Sequence, residues 1–443
     1  VIKPTRRLER RHQPSGGRKT LSTLGSVVVT CLAATFAFAG ATPASAATQA
    51  DAAQSAQFVQ FLPPSSNISP DQRRALGART SQLHHSRQSR GTALADPDDL
   101  RTRCNDHLDL ASRAPSGWYA DRFHQCRVAS ISAVVLNSKD LSPAGKITFL
   151  FVFLAWANNG VRQVDFATSI EDIQTVTFEG QFVDWPAQNI TLIPLGCQTP
   201  SVICDPGTTK PEAEWVRVPT YGFTYFSAPG IGSAPDATVF NRVTFDIEIG
   251  TPPIEPGIMH DAVQTYMRFD TARGMGRANG TAFPDFVPTF SLAVSDPAVN
   301  EAALHIRDAV DNPTRTFPSW TGKTVPGKIG GAAPLHRMFD ESKNAWNRTT
   351  SVAVCVDVWG KDYAKPNKQC DEYPMAATYE GSATGRDTNN NGQLGDPEDS
   401  TLQRFSARPI YKSDNMNAGN RLQSFYGEQR IIDGDPFYVQ VAP

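Results

Sequence analysis

No two cysteines in this chain are spaced as C-x-x-C, neither sign of charge dominates, and no histidine follows His336. Each absence removes a class of explanation. Without tight cysteine pairs, the seven cysteines do not read as a zinc centre. A formal net charge of −2 over 443 residues leaves no global field that calls for nucleic acid or an anionic membrane. Phosphate contacts still need only a local basic patch. Acid–base chemistry beyond His336 would have to rest on carboxylates, tyrosines, lysines or metal-bound water.

Long apolar runs are also scarce. Leu21 to Gly40 carries no charge, follows Arg6, Arg7, Arg10, Arg11, Arg18 and Lys19, and precedes Ala44-Ser45-Ala46. That order reads as an export signal over residues 1–46, in preference to a membrane anchor of near-spanning length. Ile147 to Ala157 is too short to cross a bilayer and suits a strand buried on both faces. Once Cys31 has left with the signal, Cys104, Cys126, Cys197, Cys204, Cys355 and Cys370 form three sequence-local pairs. An even count in an exported chain reads as disulfides between neighbours.

What remains divides by pattern. Residues 47–100, rich in Ala, Gln, Ser and Arg with Pro63-Pro64 and His84-His85, show no sustained period and read as disordered or processed. Residues 101–313 are mostly of period two, as in Val239–Ile249, Val161–Phe178 and Tyr266–Phe269, and predict a β-sandwich-like all-β domain. Residues 314–333 read as a linker, and Gly322-Lys323-Thr324 within it lacks the glycine at 317 that a phosphate loop requires. Residues 334–443 form the last domain, a small α+β unit. In it Ser351–Val358 and Pro436–Val441 are strand candidates, and Ala418–Gln429 is a helix with Ser413, Asp414 or Asn415 as cap.

The chemistry concentrates in that last domain. Cys370-Asp371-Glu372-Tyr373-Pro374-Met375-Ala376-Ala377-Thr378-Tyr379-Glu380-Gly381 brings three carboxylates together, and Ser413-Asp414-Asn415-Met416-Asn417-Ala418-Gly419-Asn420-Arg421 follows. With Phe425-Tyr426-Gly427-Glu428-Gln429-Arg430 and the residues up to Val439, these two motifs resemble the NucA/NucB family of secreted bacterial deoxyribonucleases, over roughly Pro334 to Val441. The resemblance implies a ββα-metal-like nuclease fold in which an aspartate, here Asp371, replaces the usual histidine base. It implies Asn415 as ligand of a divalent ion, Mg or Mn. Asn417 and Asn420 are rivals, because this segment departs from the DNRGAGS pattern of compact members. Glu372 and Glu380 become catalytic or metal partners, and Arg408 and Arg421 phosphate clamps.

Between the motifs, Asp387, Asn389, Asn391, Gln393 and Glu398 stand at positions 1, 3, 5, 7 and 12 of a twelve-residue calcium loop, with Gly392 at position 6. This reads as a structural calcium site apart from catalysis. The expectation is a secreted, extracellular, monomeric, metal-dependent endonuclease acting on DNA or RNA, with no membrane association after signal removal. The alternatives are a calcium-dependent cell-surface binding module and another exported hydrolase, such as a glycosidase with paired carboxylates.

Overall fold

Both of the clearest strand patterns, Val239–Ile249 and Ile147–Ala157, lie within strands of the computed structural model. It describes residues 56–78, 97–196, 202–203, 206–227, 234, 236–272, 275, 278–331, 333–385 and 404–443. The strands of the first part are β1 (Gln57–Phe61), β2 (Trp118–Asp121), β3 (His124–Asn137), β4 (Pro143–Ala157), β5 (Gln163–Thr177), β6 (Asn189–Leu195), β7 (Val202–Ile203), β8 (Thr208–Pro211), β9 (Thr220–Ser227), β10 (Thr238–Ile249), β11 (Ile254–Glu255), β12 (Gly257–Thr271) and β13 (Asn279–Ala282). Among them lie α1 (Pro70–Ala78), α2 (Pro97–Asp106), α3 (Leu108–Ala111) and α4 (Glu212–Arg217).

They build two sheets. One runs β11-β1-β3-β4-β5-β9-β7 with β2 beside β3, and the other runs β13-β12-β10-β6-β8. Alternate residues of a strand face opposite ways, so Phe149, Phe151 and Phe153 of β4 share one core with Phe245 and Ile247 of β10 and Val263 and Met267 of β12. Leu150, Val152, Leu154 and Trp156 face the other way, onto Leu100, Cys104 and Leu108 of α2 and α3. That double burial explains the unbroken apolar run in β4. A disulfide between Cys104 and Cys126 ties the helical cover to β3. Cys197 and Cys204, the expected middle pair, lie outside the described residues, as do His84 and His85.

Part of the 47–100 segment departs from its reading as disordered or processed. β1 pairs with β3 in register Gln57↔Asn137 to Phe61↔Ala133, and α1 follows it. Val59 sits in the core. β1 spans only five residues, Gln57-Phe58-Val59-Gln60-Phe61, with no apolar–polar alternation to stand out against the surrounding Ala, Gln and Ser. The buried Arg101 guanidinium donates twice to the Glu171 carboxylate, both at 2.8 Å, and so fixes α2 to β5.

The remaining elements are β14 (Thr289–Ala293), α5 (Asn300–Asp311), β15 (Leu335–His336), α6 (Glu341–Trp359), β16 (Lys368–Tyr373), β17 (Ser406–Tyr411), α7 (Lys412–Glu428) and β18 (Pro436–Ala442). β18 lies between β14, its parallel partner, and β15, its antiparallel one. Phe290, Ala303, Ile306, Tyr373, Leu422, Tyr426, Phe437 and Val439 share a core, so β14 and α5, drawn with the β-rich domain from sequence, pack with the last elements instead. The supposed linker 314–333 is threaded through the same layer. Phe317 bridges Ala407, Lys328 bridges Val439, and Pro326 accepts from the Tyr373 hydroxyl at 3.1 Å. Lys323 is buried, which pushes its ammonium down to about 8, and it donates to the carbonyls of Thr316 and Pro318 at 3.1 and 2.8 Å.

Two readings of secondary structure are corrected. Ser351–Val358 is not a strand but part of α6, whose N-terminus is capped by Asp340 accepting from the amides of Ser342 and Lys343. The Val-x-Val-x-Val alternation has strand period, yet the cap, Asn347 and Cys355 place the segment in a helix. α7 begins at Lys412, six residues before Ala418, and Ser413, Asp414 and Asn415 lie inside its first turn rather than capping it.

A buried ionic network joins the two parts. Asp435 accepts from Arg122 and, at 2.6 Å, from Arg268, while Asp270 accepts from Arg268 at 3.1 Å and from Arg430 at 3.0 Å. Arg122, Arg268, Arg430 and Asp270 are all fully buried. Residues from Ser55 onward form one compact unit.

Candidate active site

β16 and β17 form an antiparallel hairpin in register Cys370↔Pro409, Asp371↔Arg408, Glu372↔Ala407 and Tyr373↔Ser406. Strand alternation gives it two faces with different neighbours. Cys370 and Glu372 face α6. Cys370 is disulfide-bonded to Cys355 with Cα atoms 6.1 Å apart, and Glu372 feels the charge of Arg348. Closing a loop of this length contributes about 3 kcal/mol in the chain-entropy model, and the link fixes the backbone beside Asp371. Asp371, Tyr373, Ser406 and Arg408 face α5.

On that face the reading of a histidine-free site is overturned. His305 of α5 is fully buried and bonds Asp371 Oδ2 through Nδ1 at 2.6 Å and Ser406 Oγ through Nε2 at 2.8 Å. No histidine follows His336 in the chain, and the one at this face precedes it. The signal was in the pattern of α5, where Ala302, Ile306 and Ala309 are buried and His305 falls on the same stripe. Arg408 Nη1 donates to Asp308 Oδ2 at 2.9 Å one turn further on.

The other expected site residues spread out. Burial first, and then the neighbouring Asp371 charge, push the Glu372 carboxyl up to about 7. Asp371 and Glu372 nevertheless point to opposite faces and do not converge on one ion. Glu380 is bound elsewhere, accepting from the His336 backbone amide at 2.7 Å and facing its Nδ1 at 2.7 Å. That hydrogen bond raises the pKa of His336. Asn415 does reach the hairpin, its Nδ2 lying 3.4 Å from Gln369 Oε1 and 3.5 Å from the Cys370 carbonyl. Asn417 donates to the Ala298 carbonyl at 3.0 Å. Asn420 and Arg421 lie on a different side of α7, in a shallow hollow with Phe290 and Phe425, and Arg421 pairs with Asp296 at 2.6 Å. Asp387, Asn389, Asn391, Gln393 and Glu398 lie outside the described residues.

Among the described residues no group of three or more His, Cys, Asp and Glu side chains is poised to hold a metal. Beside the hairpin, Asn415 carries a hard amide oxygen, the donor type taken by an ion such as Mg, which keeps several waters and takes one or two protein ligands. Beside the hairpin opens a cleft of about 720 Å³, lined by His305, Ser406 and Arg408 together with Arg315, Lys365 and Lys368. Phe317 and Trp359, each 40% exposed, meet edge to face on its wall with centroids 5.3 Å apart.

Residues 330–440 match the family model Deoxyribonuclease NucA/NucB. The NucA/NucB segment thus contains the hairpin, α6 and α7, and leaves out β14 and α5. His305 lies 25 residues before its start at residue 330. No curated protein and no solved structure matches the chain. Over this segment the chain is similar to deoxyribonucleases. The two disulfides among the described residues fit an oxidising compartment, and no helix among those residues is long and apolar enough to cross a membrane.

Proposed function

We propose that this protein is a secreted, metal-dependent endonuclease that hydrolyses the phosphodiester bonds of extracellular DNA as a monomer. The carrying observation is that the NucA/NucB segment contains Asp371, whose side chain is 13% exposed with one oxygen held by His305. The other oxygen accepts a proton from water as that water attacks the phosphorus in line, and the P–O bond to the opposite sugar oxygen breaks, that oxygen taking a proton from solvent. A carboxylate is a weak base, so the effectiveness of Asp371 depends on its placement. The cleft cations hold the phosphate backbone, and Arg408 can leave Asp308 to reach a phosphoryl oxygen. Asn415 would hold the divalent ion, which when bound neutralises charge on the phosphoryl oxygens.

A glycosidase is disfavoured, because its two carboxyl groups must flank one bond across a shared cleft, whereas Asp371 and Glu372 lie on opposite faces of a strand. The test uses the full chain on supercoiled plasmid. Nicked and then linear DNA should appear with Mg or Mn and vanish with a chelator. No cleavage with any divalent ion would overturn the reading.

The insert 387–398 serves as a separate calcium site of modest affinity, on the order of 10⁻⁴ to 10⁻³ M, as in extracellular modules. Calcium should raise the thermal midpoint, because it binds the folded state. Glu398→Gln should remove that rise while leaving cleavage at a permissive temperature. Identical calcium responses of parent and variant would reduce the loop to a turn.

A further inference from the structure

We propose that His305, contributed by α5 from outside the NucA/NucB segment, is a positioning residue that holds the Asp371 carboxylate in its working orientation. The inference rests on the deoxyribonuclease reading and adds a residue to its site. An ionised carboxylate only accepts hydrogen bonds, so the bond to Asp371 Oδ2 places a proton on His305 Nδ1. Nε2 then faces Ser406 Oγ at 2.8 Å. With both ring nitrogens engaged and no solvent exposure, the ring has one orientation, and Asp371 Oδ2 inherits it.

The helix carrying His305 is itself pinned on either side. At its start, Asp414 Oδ2 accepts from the Glu301 amide at 3.0 Å, and Glu301 Oε2 accepts from the Tyr411 amide at 2.6 Å. Towards its end, Asp308 takes the Arg408 guanidinium. All these partners sit on β17 or α7, so the register of α5 over the hairpin is set by the elements it serves. Serine, histidine and aspartate in this order also perform nucleophilic hydrolysis. Here Ser406 is buried within a strand, and its hydroxyl fixes the ring rather than attacking a substrate.

Two near-isosteric variants separate the two ring nitrogens. Asparagine carries its amide nitrogen at the δ position and can still donate to Asp371; glutamine carries its nitrogen at the ε position and reaches only towards Ser406. Steady-state cleavage of a short duplex, normalised to the folded fraction, should show His305→Gln lowering kcat about 10- to 100-fold with KM little changed, the range seen when such supporting groups are lost. His305→Asn should stay within a few-fold of the parent. Equal losses in both variants, or losses that only follow the folded fraction, would reduce His305 to a packing residue and overturn the proposal. So would parental kcat in His305→Gln alongside an inactive Asp371→Asn, which would leave the nuclease reading standing. A parent protein that cleaves no DNA removes that reading and this one with it.

Discussion

Asp371→Asn should lower DNA cleavage by about 10²- to 10⁴-fold, the range expected when a general base is lost, with the fold intact. The substitution is nearly isosteric and removes only the charge and one acceptor. His305 can still donate to the amide oxygen at this position, so the thermal midpoint should move little. Glu372→Gln is the control, because the neighbouring carboxyl has its pKa raised to about 7 by burial and by Asp371 and could itself serve as a base. Placed on the α6 face, Glu372 should be dispensable for cleavage. Its pKa predicts a different effect: between the ordinary 4.5 and about 7 the folded protein keeps a proton that the unfolded chain has released. Stability attributable to Glu372 is therefore complete below that window and declines as pH rises through it. Glu372→Gln should flatten this decline. Near-parental cleavage by folded Asp371→Asn would remove the assignment, and selective loss in Glu372→Gln would move the base one residue along.

Asp435→Ala should cost about 3–5 kcal/mol, the usual consequence of removing one partner from a buried ionic group. Asp435 accepts from Arg122, from Arg268 and from the Ile432 amide at 3.0 Å. Without it two fully buried guanidiniums lose a shared counter-charge; burial already pulls the Arg122 pKa down to about 10. Set against a typical stability of roughly 5–15 kcal/mol, the loss is large enough to lower the midpoint of urea unfolding sharply. Asp435→Asn, which keeps an acceptor of similar shape, should lose less. A midpoint for Asp435→Ala close to the parent's would mean that the network adds nothing to the join between the two sheets and the nuclease layer.

The sequence displayed what depends on near neighbours. The apolar run of β4 announced burial on both faces, and the local cysteine pairs foretold the two described disulfides. Asp371 was marked by the company of its motif. What stayed hidden depends on distance along the chain: His305 meets Asp371 across 66 residues, and Arg122 meets Asp435 across 313. Neither pairing leaves a periodic trace. One misreading was avoidable: Ser351–Val358 alternates like a strand, but the Asp340 cap precedes it. Asn415 and Asn420, five residues apart at 3.6 per turn, face well away from each other, so only one of them can serve an ion beside the hairpin.

The position of β18 sets a timetable for the protein's own synthesis. Among the described residues β14 has no strand partner but β18, and Thr289 aligns with Tyr438, so a chain emerging from the ribosome presents β14 long before its mate exists. The two large sheets can close early, since chains fold from the N-terminal side as they appear. The layer that holds His305 over Asp371 has to wait, because closing so long a loop gains nothing until β18 arrives. The order of synthesis would then set the two sheets in place before the layer that seats Asp371.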